Sequence, residues 1–174
     1  SAALMKNGDL WTWGSMAAMD KYHAIDSSLY TPKTPSVFMT NVKEFVLTDT
    51  YYAAIKNDGT LWMWGVNFNG QLGTGSNELN QLTPTKVLDD VSKVYLLDSY
   101  TFGCVAAVTT KGELYMWGSN GSGQLGIGNQ KEQNTPQKVD LANVKKVSMD
   151  GMTTSALTTD GKMYIWGANG TYGL

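Results

Sequence analysis

Four copies of a short tryptophan-rich segment set the plan of this chain. The copies are Leu10-Trp11-Thr12-Trp13-Gly14, Leu61-Trp62-Met63-Trp64-Gly65, Leu114-Tyr115-Met116-Trp117-Gly118 and Met163-Tyr164-Ile165-Trp166-Gly167. Each copy follows a turn that contains glycine, such as Asp58-Gly59. Self-similarity at a period of about fifty residues is the signature of a repeat architecture. The chain is therefore predicted to consist of copies of one structural unit.

One full repeat is predicted to contain four short strands separated by turn residues. In the second repeat these strands are residues 42–47, 52–56, 61–64 and 84–87. Because side chains alternate along a strand, Trp62 and Trp64 face one way, and Leu61 and Met63 face the other. Both faces are apolar, which predicts a strand that is covered on both sides. Four antiparallel strands in a repeat of this length are typical of a β-propeller blade.

The spacing of the repeats also gives the predicted blade boundaries. An incomplete blade spans residues 1–40, complete blades span 41–90 and 91–142, and a second incomplete blade spans 143–174. Pro35, Pro84 and Pro136 are expected to begin edge strands, because proline cannot donate to a central ladder. The prediction is an all-β fold that forms about half of a propeller. The incomplete blades indicate an excerpt of a longer propeller, or a chain whose ring is completed by a second copy in a homodimer.

The composition of the chain argues against several classes of function. The chain of 174 residues has a net charge of −2, and its 13 basic side chains are all lysine. A nucleic-acid-binding protein is expected to show a basic stripe that includes arginine, so no nucleic-acid partner is predicted. No apolar run approaches the roughly 18 residues that span a bilayer, so membrane insertion is not predicted either.

Residues that could carry chemistry are sparse in this sequence. His23 is the single histidine and Cys104 the single cysteine, and neither lies in a pattern typical of a nucleophile, a general base or a metal ligand set. Residues 121–126 match G-x-G-x-x-G, but a dinucleotide site needs a following helix, which the pattern here does not predict. No catalytic residue, cofactor or metal site is therefore predicted.

The loop after the Trp-Gly strand has a longer signature. The second repeat reads Trp64-Gly65-Val66-Asn67-Phe68-Asn69-Gly70-Gln71-Leu72-Gly73-Thr74-Gly75, and residues 117–128 keep the same W-G-x-N-x-x-G-Q-L-G-x-G pattern. A Thr-Pro-x-x-Val segment follows in both repeats. The pattern closely resembles the repeat of the regulator of chromosome condensation family, and this resemblance implies a propeller, usually of seven blades. The first repeat departs from it, because residues 15–28 replace the Gly-Gln-Leu-Gly segment.

The resemblance implies a binding platform rather than one chemistry, since members of the family serve as an exchange factor, as ligase substrate-binding modules and as an enzyme inhibitor. We expect a non-catalytic protein-interaction scaffold from a bacterial secreted or surface protein, located outside the cell or at its surface. One alternative is a regulatory effector, such as a guanine-nucleotide exchange factor or an enzyme inhibitor. The other alternative is a carbohydrate-binding module.

One face of the predicted propeller is the candidate contact surface. The turn between the first and second strands of a blade and the long loop after the Trp-Gly strand are expected to project from the same side. The residues predicted to bind a protein partner are Asp49, Tyr51, Phe68, Asp98, Tyr100, Phe102 and Asp150. Exposed aromatic side chains anchor interfaces, which favours this interpretation. For the acidic residues, the alternative is a structural role in which turn side chains make local hydrogen bonds.

Overall fold

The computed structural model describes residues 1–14, 34–99 and 102–168, which form four antiparallel sheets. The first sheet, called blade 1, contains β1 (Ala2–Leu4), β2 (Leu10–Thr12) and β3 (Ser36–Met39). Blade 2 contains β4 (Val42–Leu47), β5 (Tyr51–Lys56), β6 (Leu61–Val66) and β7 (Asn80–Leu88). Blade 3 contains β8 (Val91–Leu97), β9 (Cys104–Thr109), β10 (Leu114–Gly118) and β11 (Gln133–Lys138). Blade 4 contains β12 (Val144–Asp150), β13 (Thr153–Thr158) and β14 (Met163–Gly167).

Consecutive strands pair with one another in every blade. Blade 2 has the order β4-β5-β6-β7 and blade 3 the order β8-β9-β10-β11, which confirms the predicted four-stranded antiparallel blade. Successive first strands also contact one another, β4 against β8 and β8 against β12. The outer strands β7 and β11 touch as well. The sheets therefore stack face to face, as the blades of a propeller do.

The outer strands begin earlier than the proline residues suggested. β7 starts at Asn80, and its register against β6 shifts between the pairs Met63–Thr85 and Gly65–Gln81. Pro84 lies inside this irregularity, where no regular ladder hydrogen bond is required of it. Pro136 occupies the corresponding shift in β11. The prediction that proline begins the strand is thus wrong for these two blades, because a bulge accommodates it.

The space between neighbouring blades forms the apolar core. Between blades 2 and 3, the fully buried Leu61 and Met63 pack in one cluster with Val94 and Trp117. Between blades 3 and 4, Leu114 and Met116 pack with Val147. Blades 2 and 3 are therefore covered on both faces, as the alternation predicted.

Blade 4 has one apolar face that stays in contact with solvent in this chain. Met163 and Ile165 occupy the positions of Leu61 and Met63, yet they are 66% and 44% exposed. In the neighbouring blades the same positions are fully buried by the next blade. This face of blade 4 therefore differs from the equivalent faces of blades 2 and 3, which are covered.

Candidate protein-contact site

Backbone hydrogen bonds bring the turns and long loops of each repeat to the same side of the molecule. In blade 2 the Val66 amide donates to the Thr50 carbonyl at 3.0 Å. In blade 3 the Ser119 amide donates to the Gly103 carbonyl at 2.8 Å. The end of each Trp-Gly strand is thus fastened to the turn between the first two strands of its blade, and the loop that follows leaves from that side.

Asp98 ties two blades together through this turn. One carboxylate oxygen, Oδ2, accepts hydrogen bonds from the Thr50 amide at 2.9 Å and from its hydroxyl at 2.8 Å. The carboxylate of blade 3 therefore holds the turn of blade 2. Because these two bonds occupy that oxygen, the geometry supports a structural role for Asp98, which is one of the two roles considered from the sequence.

Tyr51 is buried, so the expectation that it faces a partner is wrong. Its side chain is 0% exposed, and its hydroxyl donates to the Leu97 carbonyl at 2.5 Å or to the Cys104 carbonyl at 3.1 Å. Burial is the main cause that raises the pKa of the Tyr51 hydroxyl well above its usual value. Tyr51 is thus a packing residue of blade 2 that reaches across to blade 3.

Asp49, Phe102 and Asp150 remain accessible on the turns. Asp49 and Asp150 are exposed, and an oxygen of Asp150 accepts the Thr153 amide at 3.1 Å, which is a local turn bond. Phe102 is half-buried and lies next to Gly151 of the following blade. Tyr100 and His23 lie outside the described residues.

Two exposed apolar side chains that the sequence pattern did not single out belong to the same surface. Leu47 ends β4 and is 41% exposed, and Met152 in the turn after β12 is 45% exposed. The sequence signal that could have indicated their exposure is their position, immediately before a turn for Leu47 and within a turn for Met152. We call the set Leu47, Asp49, Phe102, Asp150 and Met152 the inner-turn surface.

Phe68 lies in a different place, at a cavity between the long loop of blade 2 and the outer strand of blade 3. The cavity has a volume of about 320 Å³, and its wall includes Phe68, Asn69, Glu132 and Asn134. Asn69 also accepts the Gly103 amide at 3.4 Å, so the cavity adjoins the turn of blade 3. Phe68 is half-buried there.

The long loops themselves fasten each blade to the next one. In blade 2, Asn67 accepts the Leu72 amide at 3.0 Å through Oδ1 and donates to the Ser76 carbonyl at 3.0 Å, which closes the loop. The closed loop buries Leu72 completely and presents the Gln71 carbonyl to blade 3, where the Trp117 indole donates to it at 2.9 Å. We call this arrangement the loop staple.

The third repeat forms the same loop staple. Asn120 accepts the Leu125 amide at 3.0 Å, Leu125 is fully buried, and the Trp166 indole donates to the Gln124 carbonyl at 2.9 Å. The shared W-G-x-N-x-x-G-Q-L-G-x-G pattern therefore encodes blade-to-blade fastening. The tryptophans serve packing, with Trp64 also lying 5.3 Å from the ring of Phe38.

Trp64 differs from the equivalent Trp117 and Trp166. Its side chain is 1% exposed, and its Nε1 has no hydrogen-bond partner in the part of the chain that the structure describes. The first repeat lacks the Gly-Gln-Leu-Gly segment that would supply the accepting carbonyl. Among the described residues, the junction of blades 1 and 2 therefore lacks this bond.

This difference predicts unequal effects of one substitution at two equivalent sites. Trp117→Phe leaves the Gln71 carbonyl unpaired and should lower the free energy of unfolding by about 1–3 kcal/mol more than Trp64→Phe does. Both variants lose the same ring volume, so each is the control for the other. Urea unfolding followed by circular dichroism measures the difference, and equal losses would contradict the loop staple.

The described residues show neither a metal cluster nor a membrane-spanning helix. Over residues 1–14, 34–99 and 102–168, no three His, Cys, Asp or Glu side chains lie together as metal ligands would. Within the same ranges, the structure has no helix with the length and hydropathy of a bilayer span. Cys104 is buried, and burial raises the pKa of its thiol to about 12. A thiol that remains protonated is a poor nucleophile.

The stacked four-stranded sheets and their loop staples define a propeller built from sequence repeats. The model of the regulator of chromosome condensation (RCC1) repeat matches residues 58–96 and 111–157. The ultraviolet-B receptor UVR8 of Arabidopsis thaliana is 31% identical over 140 residues, which are 80% of this chain and 31% of the receptor. The human E3 ubiquitin-protein ligase HERC2 is 31% identical over 145 residues, which are 79% of this chain and 3% of the ligase. The chain belongs to the RCC1 repeat family.

Solved structures agree with this fold. Prp20p of Saccharomyces cerevisiae superposes with a TM-score of 0.71 at 19% identity, over 98% of this chain and 44% of Prp20p. The chain thus corresponds to part of a propeller in that protein. This chain spans less than one third of the length of the ultraviolet-B receptor and of the ligase.

Proposed function

We propose that this chain is a non-catalytic protein-binding module and that its inner-turn surface contacts the partner. The observation that supports the proposal best is the exposure of Leu47 and Met152, 41% and 45%, on turns that are each hydrogen-bonded to blade 3, through Asp98 and Gln124. Asp98 holds the turn of blade 2 from blade 3, so this part of the surface is held in place before a partner arrives. Such preorganisation reduces the entropy lost on binding.

The surface combines apolar and acidic groups. Asp49 and Asp150 are exposed beside the two apolar side chains, whereas Tyr51 and Asp98 support the turns from within. A complementary partner would present an apolar patch bordered by lysine or arginine, since charge complementarity orients an encounter. We therefore propose a protein partner of that chemistry.

The relatives support binding as the shared use of these repeats. One is a receptor for ultraviolet-B light, another is a ubiquitin ligase, and the structural report on Prp20p concerns its binding to Gsp1p and histones. Those activities belong to those proteins. Because they differ while the repeat is shared, a binding platform is the function that the repeats support for this chain.

Two further expectations remain proposals. The location outside the cell or at its surface is proposed together with a bacterial source, and the proposed source rests on the composition of the repeats, which includes 13 lysines and no arginine. A second copy that covers the exposed face of Met163 and Ile165 would give a homodimer. Light scattering checks the second proposal, because a monomer of 18.9 kDa would contradict it.

The inner-turn surface can be tested with a double variant and a matched control. Leu47→Ser with Met152→Ser should weaken binding of the native partner, captured from cells that express this protein, by about tenfold or more. Met5→Ser removes an equally exposed apolar side chain, at 50%, from the β1–β2 hairpin and should leave capture unchanged. Melting temperatures of all variants establish that the fold is retained. Unchanged capture by the double variant would refute the proposed surface.

A further inference from the structure

A cluster of lysines marks the side of the molecule opposite the inner-turn surface. The first strand of each blade begins on that side, next to the hairpin turn of the preceding blade. For example, the Val144 amide donates to the Gly112 carbonyl at 2.9 Å, and the Thr159 amide donates to the Asn143 carbonyl at 2.8 Å. Blades 3 and 4 therefore meet there through backbone groups, and the side chains of the strand beginnings surround the junction.

Two neighbouring cavities open at this junction and share part of their walls. One, of about 340 Å³, includes Lys93, Lys145 and Lys146 in its wall, and the other, of about 270 Å³, includes Lys93, Lys111 and Lys145. Lys93 and Lys145 are thus common to both cavities. Together they form what we call the lysine groove.

The charge of the lysine groove is opposite to that of the chain. Four lysines line it, and Glu44 is the single carboxylate among the lining residues. The whole chain carries −2. Within the described ranges, none of the ion pairs involves Lys93, Lys111, Lys145 or Lys146. Like charges gathered on one surface repel, and an anion placed between them removes that repulsion.

The propeller fold does not itself require lysine at these positions. After the register shift near the start of each first strand, Glu44 faces Ile55, Lys93 faces Val108 and Lys146 faces Leu157. The three positions are equivalent, and blade 2 folds with a glutamate there. Lys93 and Lys146 are therefore not required at these positions for the strands to pair.

The hydroxyl groups of two threonines complete the chemistry of the groove. Thr110, Gly112 and Thr159 line the smaller cavity beside Lys111. Lysine ammonium groups combined with hydroxyl groups suit phosphate oxygens, which accept several hydrogen bonds at once. Two cavities that share two lysines suit a ligand that carries two anionic groups.

We infer that the lysine groove binds a small phosphorylated ligand with two anionic groups. Lys93 and Lys145 lie between the two anionic groups, Lys146 contacts the group in the larger cavity, and Lys111 contacts the group in the smaller one. The site lies away from the inner-turn surface, so ligand and protein partner occupy different places.

Pyrophosphate is a suitable probe for this site. Titration calorimetry at low ionic strength should detect its binding to the intact chain, and the melting temperature should rise with its concentration. Lys93→Glu, which installs the residue of blade 2, should weaken the binding by about tenfold or more, because a charge-assisted bond is replaced by repulsion. Lys131→Glu changes the net charge equally on the distant long loop of blade 3 and should have a small effect.

The results distinguish a phosphate site from general electrostatic attraction and from a site for an acidic protein segment. Equal weakening by Lys93→Glu and Lys131→Glu would show general electrostatic attraction and would overturn the site. Absence of pyrophosphate binding to the unmodified chain would overturn it as well. Binding of a hexaglutamate peptide without binding of pyrophosphate would replace the small ligand with an acidic protein segment. None of these results depends on the inner-turn surface, so the proposed function is tested separately.

Discussion

Gly118→Ala is expected to lower the free energy of unfolding by about 3 kcal/mol or more, since it combines backbone strain with a steric clash. Gly118 ends the Trp-Gly strand of blade 3 with a φ of +99°, a conformation that L side chains rarely adopt. A Cβ atom at this position would also overlap the carbonyl oxygen of Gly103, the residue just before the neighbouring strand β9. Chemical unfolding of the purified variant measures the loss.

Two other glycines of the same repeat separate the two causes. Gly128 has a φ of +78°, and a Cβ atom added there would meet open space, so Gly128→Ala should show the backbone strain alone, about 1–2 kcal/mol. Gly121 lacks a positive φ and also has open space, so Gly121→Ala should change the stability by less than about 0.5 kcal/mol. Equal effects at Gly118 and Gly121 would contradict this account of the Trp-Gly motif.

Leu72→Ala is expected to lower the free energy of unfolding by about 2–5 kcal/mol, the range for deletion of a fully buried leucine. Leu72 comes from the long loop of blade 2, yet it lies in the core between blades 2 and 3 with no exposed surface. Its removal leaves a cavity beside Trp117. Denaturant titration followed by tryptophan fluorescence measures the change.

Leu79→Ala is the matched control, because Leu79 lies on the same loop and is 39% exposed. Its substitution should change the stability by less than about 0.5 kcal/mol. A small effect at Leu72 would mean that the loop covers the core without supporting it. The loop staple would then be a consequence of blade packing rather than one of its causes.

Local pattern predicted the strands better than it predicted the surface. The first strands of blades 2 and 3 begin and end where the apolar runs do, at Val42–Leu47 and Val91–Leu97. These limits depend on nearby turn residues and on alternation along one strand. Both signals are present in any single repeat.

The alternation of side chains along β5 predicts that Tyr51 is buried. Tyr51, Ala53 and Ile55 share one face of β5, and all three are fully buried between blades 2 and 3. The position of Tyr51 next to a turn suggested exposure instead. A residue at the end of a strand is buried or exposed together with the other residues on the same side of the sheet. Tyr51 is therefore buried with Ala53 and Ile55.

The sequence of a single repeat predicts neither the role of Asp98 nor the proximity of the groove lysines. Asp98 reaches Thr50 of the preceding blade, and Lys93 approaches Lys145 from a different sheet. These distances depend on the angle at which neighbouring blades pack. The packing angle cannot be predicted from sequence spacing, because the angle results from many contacts across the core.

Both loop staples in the described part of the chain point in one direction, from an earlier acceptor to a later donor, and this affects folding during translation. The Gln71 carbonyl precedes the Trp117 indole by 46 residues, and the Gln124 carbonyl precedes Trp166 by 42 residues. A growing polypeptide leaves the ribosome amino terminus first, so each acceptor emerges before its donor. A newly emerged blade therefore waits, with an open carbonyl and an uncovered leucine, until the next repeat arrives. During translation, each of these two blades therefore keeps one apolar face uncovered until the next repeat packs against it.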